Sequence, residues 1–353
     1  TLNAKCFEAS IQSFSVLVDL LAHGTADPKP QDLRRRTFCP LWKRPYAAAT
    51  IDWSQPAENI YNLYRGLEFN NYPNPLGLPK LYLGNTAMAV RKIDILDTPA
   101  QMEPGTVLRA TDTSLEVSTA TNVLALSELT GFDGARITPR ALLEAASIPE
   151  GGKLPILEKE HADRIDKIYG LLCRQESYWA RRLAELEPME IPYAKKHGLP
   201  GGSLTCSAMR MPLPAMGKRP GKSQDAPGDE VLSAFVVYLY RIGGKESFDI
   251  GFSDGSLQLY IRGCENFFFP FVPLRAEVNA ELTFDEFHVS LREQISATMD
   301  RKTYARDLKL RYPHLRELSR HRVSAELPVV VFRVDQLPDS GDTRLNAELA
   351  VFI

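Results

Sequence analysis

Near the start of the chain, apolar positions fall at three- and four-residue intervals. Phe7, Ile11, Phe14, Leu17, Val18 and Leu21 share one face, which predicts a helix over 8–22 that Gly24 is placed to end. A single amphipathic helix there has no neighbour in sequence to pack on, so it is expected to dock elsewhere. The proline- and charge-rich stretch 26–36 reads as a linker, with Arg34, Arg35 and Arg36 as a solvated basic run. From Ile51 the pattern changes. Ser54 is placed to cap a short helix with Pro56 in its first turn, and Ile60, Leu63, Tyr64 and Leu67 form its buried face, with Gly66 near its end. Alternation then predicts short strands at 81–83, 88–96, 106–110, 114–118 and 123–129, with a turn at Gly84-Asn85. Thr138-Pro139 opens another helix through Ala146. Short strands with one helix suggest a small OB-like β-barrel.

Pro149, Gly151, Gly152 and Pro155 mark a linker over 148–156. Beyond it, Ile165, Ile168, Tyr169, Leu172, Trp179, Leu183 and Leu186 keep the helical period until Pro188, which predicts one long helix. Residues 194–229 are loop-rich. Leu232, Phe235, Val236 and Leu239 give a helix over 231–242, and strands are expected at 248–252 and 267–278. Thr283 and Glu286 form a capping box, with Leu282 and Phe287 as its staple, opening a helix through Thr298. The near-continuous apolar run 328–334 suits a central strand. The fold expected is α+β, a small barrel followed by a mixed α/β lobe.

Composition narrows the function. The chain has 353 residues, 44% hydrophobic and 24% charged, with a formal net charge of −2. Its halves are each near neutral, which disfavours a large nucleic-acid surface. No apolar run reaches transmembrane length, so no membrane partner is expected. Five scattered cysteines form no C-x-x-C pair, which argues against the common zinc spacings and a disulfide framework and fits a cytoplasmic protein. The absence of an initial Met and the apolar last residues suggest a fragment of something longer. No local spacing suggests a metal site. His161, beside Glu160 and Asp163, is expected on the solvent side of its helix. His288 is expected to be exposed beside an apolar face, and His314 and His321 at the surface. Cys173 and Cys264 read as small buried apolar residues, and Phe267, Phe268 and Phe269 as strand core.

Two stretches resemble known families. Ile51-Asp52-Trp53, then Ala57, Ile60, Arg65, Gly66 and Leu67, resembles the C-terminal domain of methionyl-tRNA formyltransferases. The stretch from Tyr72 to Gly77 and Lys80 sit where that family has its proline-rich lead into the next strand. Glu176-Ser-Tyr-Trp-Ala-Arg-Arg-Leu-Ala-Glu-Leu186 and Asn266-Phe-Phe-Phe-Pro270-Phe-Val-Pro-Leu-Arg275 resemble motifs of nonribosomal peptide synthetase condensation domains. The resemblance implies four parts. Residues 1–33 would be the last helix of a formyltransferase catalytic domain plus linker, and 34–147 the formyltransferase C-terminal-like barrel. Residues 148–156 would be a linker, and 157–353 a condensation-like half-domain of chloramphenicol acetyltransferase-like fold.

Both resemblances lack their chemistry. The formyltransferase Asn, His and Asp belong to a domain of which only the final helix is matched, and no H-H-x-x-x-D-G motif occurs in the sequence. In the motif that is present, Asn266 replaces a glycine, and Pro270-Phe271 replaces Asn-Thr. The resemblance therefore implies no catalytic residue here, with Asp52, Trp53, Arg65, Asn266, Pro270 and Arg275 as motif positions and Arg275 as a structural ion-pair former. Lys195, Lys196, Lys218, Arg219 and Lys222 are the basic candidates for partner docking. Formyl-tetrahydrofolate or phosphopantetheine is expected only in a parent protein, and adenylation and carrier domains of the same assembly line are the expected partners. The leading expectation is a degenerate, positioning region of a synthetase initiation module. A truncated share of an active formylating starter unit and a tRNA-binding module are the alternatives.

Overall fold

Burial follows the predicted periods through most of the chain, and it separates two main apolar cores. The computed structural model describes residues 2–192, 209, 227–321, 327–334, 347 and 349–353. The chain divides into two compact units, Thr1–Leu41 and Trp42–Ile353. In the first, helix α1 spans Leu2–Ala22, beginning earlier than its apolar stripe, and a short 3-10 turn covers Leu33–Arg35.

The second unit begins with an unusual turn. Ala47, Ala48 and Ala49 all have left-handed backbone, at φ 48°, 54° and 65°. That conformation is costly for any residue with a Cβ, and three small side chains, all buried, make it tolerable here. Helix α2 (Ala57–Gly66) follows. Ser54 does not cap it: its hydroxyl donates to Asp52 instead, and the helix starts behind Pro56 without a side-chain cap. Strands β1 (Lys80–Tyr82), β2 (Ala87–Pro99), β3 (Val107–Ala110), β4 (Leu115–Ser118) and β5 (Asn122–Thr130) form one curled antiparallel sheet in the order β1-β2-β5-β4-β3. Its inward positions, among them Val90, Ile93, Leu115, Leu124 and Leu126, pack with Trp53, Ile60 and Leu142. Helix α3 (Pro139–Ala145) is capped by Thr138. Residues 151–154 then run beside β3, with the Val107 amide donating to Gly152 and the Leu154 amide to Gly105.

The expected long helix is broken. Helix α4 (Lys159–Leu172) gives way to a 3-10 turn at Cys173–Gln175, and α5 (Glu176–Ala184) continues after it. Helix α6 (Pro227–Gly243), strand β6 (Ser247–Asp254) and α7 (Gly255–Ile261), capped by Asp254, come next. The expected strand at 267–278 is confined to β7 (Val272–Glu277). Phe267 and Phe268 are buried in a turn, where their amides donate to the Cys264 carbonyl. A continuous apolar run cannot distinguish a buried turn from a buried strand. Helix α8 (Phe284–Met299), the short α9 (Leu308–Arg311), α10 (Pro313–His321), β8 (Val329–Arg333) and β9 (Leu349–Phe352) complete the lobe. The second sheet has the order β7-β6-β8-β9, with β6 parallel to β8 and antiparallel to β7.

The capping box on α8 is complete, with Thr283 and Glu286 each bonding the other's backbone amide. Thr283→Ala is expected to lower stability by about 1 kcal/mol, read as a lower urea midpoint at unchanged slope. His288 on this helix is buried, not exposed, because α6 packs over it and Ser233 lies 2.8 Å from its Nδ1. His161 is half-buried, with its ring edge-on to Tyr82 and Phe267. His314 is exposed. Among the described residues, no helix is long and apolar enough to cross a membrane.

Candidate functional site

Three polar constellations organise the second unit. The first is the approach to α2. Asp52 is solvent-exposed and accepts from the Ser54 amide at 3.0 Å, the Ser54 hydroxyl at 2.6 Å and Gln55 at 3.2 Å. Partial desolvation opposes the shift, but these hydrogen bonds hold its carboxyl below the usual aspartate range. Trp53, next to it, points inward and is 5% exposed. Its ring lies under the backbone of Gly105, whose φ of 84° suits a glycine. Arg65, on the exposed end of α2, sits over the ring of Tyr61.

The second is centred on Asp249 in β6, which is fully buried. Arg275 from β7 donates to both of its carboxylate oxygens, at 3.0 Å each, and Arg182 from α5 also binds both. The Glu187 amide adds a bond of 2.7 Å. The hydrogen bond to Asp249 raises Arg275 above the usual arginine range. Asp249 thus ties α5 and the segment after it to the second sheet. Asp249→Ala is expected to cost about 2 kcal/mol, because both arginines keep some access to water when their partner is lost; equilibrium unfolding in urea checks this.

The third constellation joins the two sheets' regions and is the most buried. Lys80, the first residue of β1, is 1% exposed, Asp307 0%, Arg311 2% and Glu176 5%. Lys80 Nζ donates to Asp307 at 2.6 Å and to the carbonyl of Ala48, in the left-handed turn, at 2.7 Å. Arg311 Nε donates to the other Asp307 oxygen at 3.0 Å, and its two terminal nitrogens donate to Glu176 at 2.8 and 2.7 Å. Tyr312 adds a bond to Glu176 at 3.0 Å. Burial, reinforced by Glu176, pushes the Tyr312 phenol up to about 12. Burial alone would raise the Asp307 carboxyl, but Arg311 and Lys80 outweigh it and lower it to about 2.

Around these charges the Asn74-Pro-Leu-Gly77 loop is locked in place. Asn74 donates to the carbonyls of Leu67 and Gly77 and accepts from the Leu76 and Gly77 amides. Its backbone exchanges two bonds with Arg311: its amide donates to the Arg311 carbonyl at 3.0 Å, and Arg311 Nη1 donates back at 2.8 Å.

The motif positions expected from sequence therefore lie in different places. Asp52, Trp53 and Arg65 belong to the sheet region. Arg275 belongs to the Asp249 cluster. Asn266 is half-buried and reaches the Gly84 carbonyl in the β1–β2 turn at 3.4 Å, and Pro270 is half-buried in the loop before β7. Lys195, Lys196, Lys218, Arg219 and Lys222 lie outside the described residues, as does Cys206. The Lys80–Asp307–Arg311–Glu176 network was not anticipated. Its one local signal is the i,i+4 spacing of Asp307 and Arg311. Among the described residues, no group of three or more His, Cys, Asp or Glu could hold a metal ion, and the four described cysteines are unpaired.

Comparison with known proteins bears mainly on the first sheet. Residues 45–147 match the family described as formyl transferase, C-terminal domain. The methionyl-tRNA formyltransferase of Bacillus licheniformis is 28% identical over 155 residues, covering 44% of this chain and 46% of that protein. The corresponding enzyme of Pelobacter propionicus is 31% identical over 134 residues, covering 38% and 39%. The chain thus spans less than half the length of these relatives. Among solved structures, the EpoB cyclization-docking bidomain of a nonribosomal peptide synthetase from Sorangium cellulosum is similar. It has a TM-score of 0.34 and 17% identity, over 65% of this chain and 49% of that one. A starter condensation domain of rhizomide synthetase RzmA gives a TM-score of 0.30 and 15% identity, over 61% and 50%. Scores of this size do not define a shared fold.

Proposed function

We propose that the chain is a formyltransferase-like and condensation-like region of a nonribosomal peptide synthetase initiation module. Its role is to position neighbouring adenylation or carrier domains, and it performs no chemistry itself. The observation that carries this reading is the buried network. A segment of formyltransferase C-terminal kind shares its fully buried Lys80 with Asp307 of the lobe that follows, so neither can turn against the other without stranding a charge. A block locked in this way presents fixed faces to its neighbours. In this reading the first sheet closes as an OB-like barrel and the lobe is condensation-like, with Pro270 and Phe271 narrowing the place where that family handles substrate. Lys195, Lys196, Lys218, Arg219 and Lys222 would supply a docking loop.

The matched family and the methionyl-tRNA formyltransferase relatives favour a second reading, in which the chain is the C-terminal share of an active formylating starter unit. One experiment separates the two. An aminoacyl-loaded carrier protein is incubated with the chain and formyl-tetrahydrofolate and weighed intact. The positioning role predicts no formyl gain over the control without the chain, and co-elution of the carrier or its adenylation partner on a sizing column. A formyl gain would overturn it in favour of the second reading.

A further inference from the structure

The loop between α8 and α9 gathers three cations, of which Arg306 lies in the field of Glu265 without an ion pair. Arg301, Lys302 and Arg306 are half-buried, and among the described residues none of them forms an ion pair with a carboxylate. The neighbouring Asp307 is spent internally on Lys80 and Arg311. Each of the three instead lies over an aromatic ring: Arg301 over Tyr178 at 4.2 Å, Lys302 over Tyr260 at 6.0 Å and Arg306 over Phe269 at 5.2 Å.

The rings under the arginines form a continuous series. Tyr178 meets Trp179 at 5.0 Å, Trp179 meets Tyr304 at 5.3 Å, and Tyr304 meets Phe269 at 4.8 Å. The two arginines therefore lie over rings of one connected aromatic series.

Part of this set serves the fold. Arg301 donates to the Ala297 carbonyl at the end of α8, and Arg306 donates through Nε to the carbonyls of Glu265 and Phe268. Among the described residues the Lys302 side chain makes no such hydrogen bond, yet its backbone is left-handed, φ 57°, where a glycine would be unstrained. A guanidinium laid on a ring keeps in-plane N–H groups for a carboxylate and loses little freedom when one binds.

We infer that Arg301, Lys302 and Arg306 form a docking face for an acidic segment of a protein partner. Three cations against the two exposed acids Asp300 and Glu265 leave an excess of positive charge that attracts a short run of carboxylates. Those acids and the chain's net charge of −2 oppose the dense charge of a polyphosphate backbone more than a short run of carboxylates. The inference rests on the positioning role above, since it names the face by which the positioned partner is held.

The test uses the full chain, a fluorescein-labelled Glu-rich helical peptide and a single-stranded RNA oligonucleotide as probes. Peptide binding is expected to weaken about tenfold in R301E/K302E and to fall with added salt. It should be unchanged in K92E, a charge reversal at the exposed Lys92 of the other sheet. Unchanged far-ultraviolet circular dichroism shows that the variant is folded. Absence of peptide binding, equal binding by R301E/K302E, or tighter binding of RNA than of peptide overturns the inference. Co-elution of a carrier or adenylation partner with the wild type and R301E/K302E alike removes this face and leaves the positioning role standing. Loss of peptide binding in the variant with no co-eluting partner does the reverse.

Discussion

Asp307→Ala is expected to be the most damaging single substitution, lowering stability by about 3–5 kcal/mol. The reason is what it leaves behind. Lys80 and Arg311 are both fully buried, and Asp307 binds one with each oxygen. Without it, Lys80 keeps only the carbonyls of Ala48 and Leu78, and Arg311 keeps Glu176. Neither charge can reach water from its position. The loss should appear in urea unfolding as a much lower midpoint. If the penalty comes from a stranded ammonium, K80M/D307L should recover much of the stability, since paired removal of a buried ion pair is often neutral.

The same carboxylate sets an acid dependence. Its folded value, about 2, lies below the usual aspartate value of 3.8. A depressed folded value means that the stabilisation is complete above the unfolded value and is lost as pH falls from about 4 toward about 2. Wild-type stability should therefore drop more steeply across that window than that of K80M/D307L.

Trp179→Ala should rank second, at about 3–5 kcal/mol. Trp179 is 0% exposed and contacts both Tyr178 and Tyr304. Removing the indole opens a cavity between α5 and the loop leading to α9, walled by aromatic groups that cannot collapse into it. The thermal midpoint and the urea midpoint should both fall, whereas Trp179→Phe should fall by less.

Local signals gave most of the elements, and long-range ones hid the rest. The capping box at Thr283 and Glu286 is contained within a few residues, as is the turn at Gly84-Asn85, and the structure has both where the pattern puts them. The break at Cys173–Gln175 carries no glycine or proline; the turn lets Glu176 face Arg311 and Tyr312, a tertiary demand that periodicity does not register. His288 is buried against expectation because α6 covers it, and no local spacing encodes that packing. The central network shows the limit most plainly: Lys80 is 227 residues from Asp307, and Glu176 is 135 from Arg311. A lysine opening an apolar strand looks like an ordinary edge residue until its partner is known.

If that network makes the formyltransferase-like sheet and the following lobe one block, losing Asp307 should loosen both. Hydrogen exchange by mass spectrometry on wild type and Asp307→Ala tests it most directly. Protection is expected to fall together in β2 and β5 of the first sheet and in β6 and β8 of the second. Loss of protection in the second sheet alone, with β2 and β5 unchanged, would contradict it.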